Sequence, residues 1–270
     1  MIQKIYRYLQ GKRRHRQSEL AKAALLSGAG NPDTTTPPFA ESLEDPTSFY
    51  ERTFIGFHRS LPDGLRNHRE YFKQEKRGFG EDAFHVMWWR LFNEFKPTSF
   101  LEIGVYRGQV LSLVSLIAKH EGALCRVVGI SPFSCVGDTV SKYRTDLDYR
   151  SDTLSNFAHF SLTEPELLKA YSTDPEAVKV IKSTEWDMIY IDGNHDYEIV
   201  LKDWEVCAAS VKPGGIIILD DSGLSTSYQP PPFATGGHPG PSRLASEIDS
   251  YLFREILQVG HNRVFQKSAQ

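Results

Sequence analysis

Cysteine is scarce in this chain. Cys125, Cys135 and Cys207 are its three, too few and too unevenly spaced for a disulfide framework or a paired-cysteine zinc site, so a reducing, cytoplasmic setting is expected. An excess of one charge is also missing. Lys and Arg number 31 against 34 Asp and Glu, a net charge of −3, which leaves no basic field to hold nucleic acid, and no nucleic-acid partner is expected. No run approaches the ~18 apolar residues of a membrane span. The N-terminus lacks the apolar core and small-residue cleavage site of a secretory signal, so neither a transmembrane segment nor export is expected. What is present is ample material for one substantial domain with an appendage: 270 residues, 40% of them hydrophobic.

Composition divides the chain into four parts. Residues 1–27 carry Lys4, Arg7, Lys12, Arg13, Arg14, Arg16 and Lys22 against one acid, Glu19, with Ile2, Ile5 and Leu9 at helical spacing and Gly11 interrupting them. This is a basic amphipathic segment, open to two readings: a solvated arm or homo-oligomer contact, and peripheral contact with anionic lipid. Residues 28–48 are rich in Gly, Pro, Thr and Ser and read as a linker. Residues 49–96 form a helical extension, clearest after Gly80, where Phe84, Trp88, Leu91 and Phe95 line one face. Trp88 and Trp89 are read as packing residues rather than a substrate cage.

From residue 97 to 270, short apolar runs alternate with helical segments, the pattern of a doubly wound α/β sheet covered by helices. Ser99–Ile103, Arg126–Ile130, a weak Phe157–Phe160, Asp187–Ile191, Ile216–Leu219 and Arg263–Gln266 read as strands. Helices are expected over 109–119, 165–182, 195–210 and 242–256, with a turn at Pro213, Gly214 and Gly215. Ligands in such folds lie at the carboxyl ends of the strands. The first strand ends in Glu102-Ile-Gly104-Val-Tyr106-Arg-Gly108, where Gly104 admits a close ligand and Gly108 opens a helix whose amides favour an anionic group. Tyr106 stands where a dinucleotide fingerprint needs its second glycine, which disfavours a nicotinamide-dependent oxidoreductase. Asp192 ends the fourth strand, and Asp220 and Asp221 end the fifth. Three acids at adjacent strand ends imply a hard divalent cation, Mg²⁺ first, with Ca²⁺ or Mn²⁺ as alternatives.

The segments FLEIGVYRG and DMIYIDGNHDYEIVLKDWEVCAASVKPGGIIILDD resemble the class I S-adenosylmethionine-dependent methyltransferases, most closely their metal-dependent small-molecule O-methyltransferase branches. The resemblance runs from Ser99 to the C-terminus. It implies a Rossmann-like seven-stranded sheet with the last strand antiparallel. It further implies that Glu102, Gly104, Tyr106, Gly108, Ser131 and Asp192 bind S-adenosylmethionine and that Asp192, Asp220 and Asp221 hold Mg²⁺. His195, three residues past the first of these acids, would be the general base, with Asp196 as second candidate. Methyl transfer is an in-line displacement needing an aligned, deprotonated oxygen, and a cation with an imidazole supplies that chemistry.

Two positions depart from the family pattern. The acid that grips the ribose is replaced by Ile130-Ser131-Pro132, with Asp138 able to substitute if its loop folds back. The adenine pocket has no legible residues. After Asp221, about 20 residues without helical or strand pattern suggest a lid or a disordered excursion. Tyr228, Phe233 and His238 there are candidates for touching substrate, with Gly236 and Gly237 as hinges. The expected acceptor is a hydroxyl on a small molecule such as a sugar, phenolic or polyketide metabolite. Metal-independent O- or N-methylation and a non-catalytic cofactor-binding scaffold remain open.

Overall fold

The structure, a computed structural model, describes residues 2–28, 37–138, 140 and 143–269. The N-terminal segment is one helix, α1 (Ile2–Gly28), which passes through Gly11 without a break. Its last turn is tied down: Leu25 and Leu26 pack on the core, and Arg59 Nη2 donates to Leu26 O at 2.8 Å. The side chains of Ile2, Ile5 and Leu9 lie outside the described ones.

The linker expected over 28–48 is shorter than composition suggests. Residues 29–36 lie outside the described part, but α2 (Glu41–Glu44) and α3 (Pro46–Arg59) are ordered helices. Asp45 caps α3 through Ser48 N, with Pro46 in its first turn. Ser42, 0% exposed, donates to Phe39 O and accepts from Gln258 N. Local start signals and tertiary bonds thus outweigh the Pro- and Thr-rich composition. Then come α4 (Asp63–Lys73), a 3₁₀ turn (Gln74–Lys76) and α5 (Asp82–Phe95). Trp88 packs edge-on against Phe100 and Tyr190, the packing role expected of it.

The sheet follows: β1 (Ser99–Ile103), α6 (Gln109–His120), β2 (Arg126–Ser131), α7 (Tyr149–His159), β3 (Glu166–Lys169), α8 (Pro175–Lys182), β4 (Trp186–Ile191), α9 (Tyr197–Ser210), β5 (Val211–Leu219), α10 (Pro239–Glu247), β6 (Phe253–Val259) and β7 (Asn262–Lys267). The seven strands run in the order β3-β2-β1-β4-β5-β7-β6. The first five are parallel, and β7 lies antiparallel to both β5 and β6. This is the expected doubly wound, Rossmann-like α/β sheet with its N-terminal helical extension. Its central strands are apolar on both faces and separate two cores, one shared with α3, α5 and α6, the other with α8, α9 and α10.

Three expectations are corrected. Phe157–Phe160 is not a strand but mostly the end of α7, which Asp148 caps at Ser151 N. The third strand is the short edge segment Glu166–Lys169, within the range read as a helix. The helix read over 242–256 stops at Glu247, and Phe253–Val259 pairs with β7. A register shift between Glu255 and Leu257 breaks the period-two alternation of β6, which hid it.

The segment after Asp221 packs against the body of the protein, with Gly237 tightly enclosed. Gly237 (φ +95°) bridges to Ser222, and a Cβ there would run into Asp221 O. Tyr228 and Phe233 point into the N-terminal helices, with ring centroids 5.5 Å from Tyr50 and 4.8 Å from Phe54. The segment lies as a strap over the extension.

Candidate active site

Continuation of the ladder brings the strand ends together. Gly104 N donates to Ile130 O at 2.9 Å, Asp192 N to Ile103 O at 2.8 Å and Asp220 N to Ile191 O at 3.0 Å. Gly104, at φ +95°, has no room for a Cβ against Asp192 O, so glycine is what lets the β1 and β4 turns touch. The edge opens onto a cavity of about 780 Å³, a size suited to small-molecule ligands. Glu102, Gly104, Tyr106, Ser131, Asp192, His195, Asp220 and Asp221 all line it.

Two predicted site residues do not line it. Gly108 (φ +77°) starts α6 but packs on Thr153, where a Cβ would come within 2.6 Å of Cγ2. Asp196 is exposed at the start of α9, where it makes no side-chain cap. Of the strap candidates, His238 lines the cavity, whereas Tyr228 and Phe233 do not.

Glu102 is 3% exposed, and its Oε2 has no partner. Burial pushes its carboxyl up to about 8. Such an orphaned acid at the bottom of a cavity suits a ligand that brings a positive donor. Ser131 donates to Val105 O at 2.9 Å and so steadies the turn. Beyond β3, Tyr171, Ser172 and Thr173 form a cavity wall that the irregular sequence there concealed. The mouth and side walls are aromatic: Tyr106 lies 5.0 Å from Phe79, 5.3 Å from Tyr149 and 6.1 Å from Tyr143, centroid to centroid.

The acids at the other end are not equivalent. Asp192 and Asp220 hydrogen-bond carboxyl to carboxyl; burial, then the Asp220 charge, holds Asp192 well above the usual carboxylate range. Burial also works against Asp220, but the adjacent His261 keeps it ionised. His261, in the β6–β7 turn, has Nε2 3.3 Å from Asp220 Oδ1 and 3.8 Å from Asp221 Oδ1. Its Nδ1 lies 3.0 Å from Thr235 Oγ1 and 4.0 Å from Glu81 Oε1. Burial opposes its charge, yet Asp220 and the other acids raise it to about 10. No strand-end motif marks His261 or Glu81; tertiary pairing alone brings them here.

His195 lies between two carboxylates. Its Nε2 is 2.8 Å from Asp221 Oδ2, while Nδ1 and the backbone N–H both engage Asp138 Oδ2. The loop carrying Asp138 does fold back, but onto His195. Burial disfavours the imidazolium, yet the two carboxylates raise His195 to about 9. With both carboxylates facing it, the imidazole favours its protonated form.

The donors fit a divalent cation, in two groupings whose ligand atoms lie within 4.8 Å of one another: His195, Asp221 and His238, and Asp220, Asp221 and His261. Asp221 belongs to both, and its φ of +51° aims the carboxylate from a strained backbone. Asp192 belongs to neither grouping but hydrogen-bonds Asp220, so the three acids lie next to one another at the strand ends.

A family model described as a methyltransferase domain matches residues 101–222. An uncharacterised protein of Acanthamoeba polyphaga mimivirus is 29% identical over 143 residues, 51% of this chain. The match spans 58% of that relative's length. Among solved structures, a Podospora anserina methyltransferase bound to S-adenosylhomocysteine superposes with TM-score 0.55 and 17% identity, over 87% of this chain and 99% of that one. A putative caffeoyl-CoA O-methyltransferase from Staphylococcus aureus gives TM-score 0.55 and 13% identity, over 79% and 96%. A Bacillus cereus O-methyltransferase in complex with S-adenosylhomocysteine gives 0.52 and 14%, over 84% and 99%. Residues 101–222 thus match a methyltransferase domain, and the fold is that of the class I S-adenosylmethionine-dependent methyltransferases. Its architecture is the one shared by small-molecule O-methyltransferases. No helix among the described residues is long and apolar enough to cross a membrane.

Proposed function

We propose that this protein transfers the methyl group of S-adenosylmethionine to a hydroxyl oxygen of a small, ring-bearing acceptor, with a divalent cation at the acceptor end of the cavity. One observation carries the reading: the ends of β1, β4 and β5 deliver Glu102, Asp192, Asp220 and Asp221 to one cavity walled by aromatic rings. S-adenosylmethionine supplies an electrophilic methyl on a sulfonium. Glu102, with its unpaired oxygen, would take the positively charged amino end, and Gly104 would let the backbone approach. Ser131 would stand in for the usual ribose acid, and Tyr171, Ser172 and Thr173 would line the adenine end.

The acceptor would enter beneath Phe84, His85 and Trp88 of α5 and beside His261, since Phe84 stacks edge-on with His261 at 4.8 Å. These walls favour a phenolic or polyketide ring over a free sugar. A bound cation polarises the acceptor hydroxyl and lowers its pKa. Asp221 would hold it with imidazole partners or with Asp220; a Mg²⁺ ion would rely on the carboxylates and water. Here His195 joins Asp138 to Asp221 and positions both. Held between them, His195 would serve as one of the cation's imidazole partners through Nε2 rather than as the general base.

The test is methyl transfer from isotopically labelled S-adenosylmethionine to a panel of catechols, hydroxylated polyketides and sugars, with and without divalent cations. Label in a ring hydroxyl of a phenolic or polyketide, lost on chelation, supports the reading. Equal turnover in EDTA favours the metal-independent alternative, and transfer to nitrogen alone overturns the assignment to oxygen.

A further inference from the structure

We propose that Asp221, His195 and His238 form a two-histidine, one-carboxylate site for a borderline transition-metal dication of the Mn²⁺, Fe²⁺, Co²⁺ or Zn²⁺ class, in preference to Mg²⁺. The inference rests on the reading of this cavity as a methyltransferase site and specifies the cation that serves it. His195 Nε2 lies 2.8 Å and His238 Nε2 3.8 Å from the same oxygen, Asp221 Oδ2. The two imidazole rings are 4.2 Å apart. Ligands on a metal at about 2.0–2.2 Å sit roughly 3–3.5 Å from one another, so side-chain rotation suffices to close the set. All three residues line the cavity, leaving the remaining coordination positions open towards the acceptor.

The surroundings are those of a metal-ligating histidine. Such a residue usually gives its second ring N–H to a carboxylate, which fixes the tautomer and aims the free nitrogen. Asp138 does this for His195 Nδ1, with a side chain 1% exposed, and it also accepts the His195 backbone N–H at 3.1 Å. The three ligands are also locked through their backbones. His238 N donates to Asp221 O at 2.7 Å, and both Gly237 and Gly240 are places where a Cβ would collide, with Asp221 O and His195 O respectively. The strap that packs Tyr228 and Phe233 against the N-terminal helices also carries His238 to this site.

Donor chemistry sets the preference. Imidazole suits iron and zinc, and two histidines with one carboxylate and open positions is the non-haem Fe²⁺ arrangement; Mn²⁺, which more often takes oxygen ligands, serves as the paramagnetic probe of the same site, whereas Mg²⁺ is held through carboxylates and water. Asp192, the extra carboxylate an oxygen-only site would require, is bound to Asp220 instead.

The experiment is calorimetric titration of EDTA-stripped full-length protein with Mn²⁺, Co²⁺, Zn²⁺ and Mg²⁺. S-adenosylhomocysteine is titrated into the same sample. We expect Mn²⁺ and Zn²⁺ to bind at least tenfold more tightly than Mg²⁺. His238→Ala should lose tenfold or more in Mn²⁺ affinity, and Asp138→Asn should lose about 10–100-fold, both with S-adenosylhomocysteine binding unchanged. Because a variant can disturb the fold, pulsed electron paramagnetic resonance of the Mn²⁺-loaded wild type provides a second readout, and coupling to ¹⁴N from bound imidazole is expected. Mg²⁺ binding as tightly as Mn²⁺, or Mn²⁺ without nitrogen coupling, overturns the proposal while intact S-adenosylhomocysteine binding leaves the methyltransferase reading standing. Loss of S-adenosylhomocysteine binding with nitrogen-coupled Mn²⁺ retained does the reverse.

Discussion

Glu102 shows how a single residue can be costly to the fold and useful to the site. Burial lifts its carboxyl from the ordinary 4.5 to about 8. A carboxyl raised in this way destabilises the folded state progressively as pH rises from the unfolded value towards the folded one. Glu102→Gln should therefore leave thermal stability at pH 8 equal or higher, because the neutral amide removes the cost of ionising. The same change should weaken S-adenosylhomocysteine by about tenfold or more, the worth of one hydrogen bond to a charged group. Calorimetry of both proteins at pH 8 checks this, and unchanged affinity would remove Glu102 from the cofactor site. At this scale the sequence was informative where chemistry sits on a strand end: Glu102, Gly104, Asp192, Asp220 and Asp221 all reach the cavity edge as expected. It was silent on His261 and Glu81, which lie in a hairpin turn and before a helix, where local pattern carries no trace of what they face. Gly108 and Asp196, also singled out by the motifs, do not line the cavity.

Among elements, the start of β1 and β4 shows how the sheet edge opposite the site is held. Asp187 Oδ2 accepts from Thr98 N at 2.8 Å and Ser99 N at 3.0 Å, and its other oxygen pairs with Lys212. Burial works against the Asp187 charge, but Lys212 and Thr98 overcome it and hold the carboxyl down at about 2. A depressed carboxyl contributes stability that is complete above its unfolded value near 3.8 and lost as pH falls towards 2. Asp187→Asn should thus cost about 1–3 kcal/mol at pH 7 and flatten acid unfolding between pH 4 and pH 2, as followed by circular dichroism. A wild-type acid limb in the variant would contradict the assignment.

The strap is the second case. Phe233→Ala, which removes a ring lodged on Phe54 and Tyr50, should cost about 1–2 kcal/mol for a partly buried aromatic. It should also speed proteolysis within residues 222–238 while sparing cofactor affinity. Unchanged cleavage would mean the strap is held elsewhere. The strands that sequence located are those apolar on both faces; β3 and β6, an edge segment and a bulged one, lack that signal. The helix cap at Asp45 was present in the sequence but outvoted by composition.

For the molecule as a whole, the N-terminal extension is packed as part of the cavity rather than hung from it as a tether. α5 supplies a wall of the cavity, and Gly78 and Gly80 wrap Gln109 at the start of α6, with Gly80 N donating to its Oε1 at 3.2 Å. On the proposed function, acceptor choice would then depend in part on residues before the matched domain. The doubly wound order was legible because a parallel sheet with helical crossovers has few other solutions, whereas the packing of α3 to α5 over the cavity mouth depends on long-range contacts that no local period encodes.

The central claim is that this cavity binds the cofactor of a class I methyltransferase, and calorimetric titration with S-adenosylhomocysteine, with divalent cation and again after EDTA, tests it most directly. The account predicts micromolar-range binding, about −8 kcal/mol, to wild-type protein under both conditions and a marked loss in Glu102→Gln. No heat of binding under either condition from protein shown to be folded would contradict it, and would leave the glycine turn at Gly104 as a packing device alone.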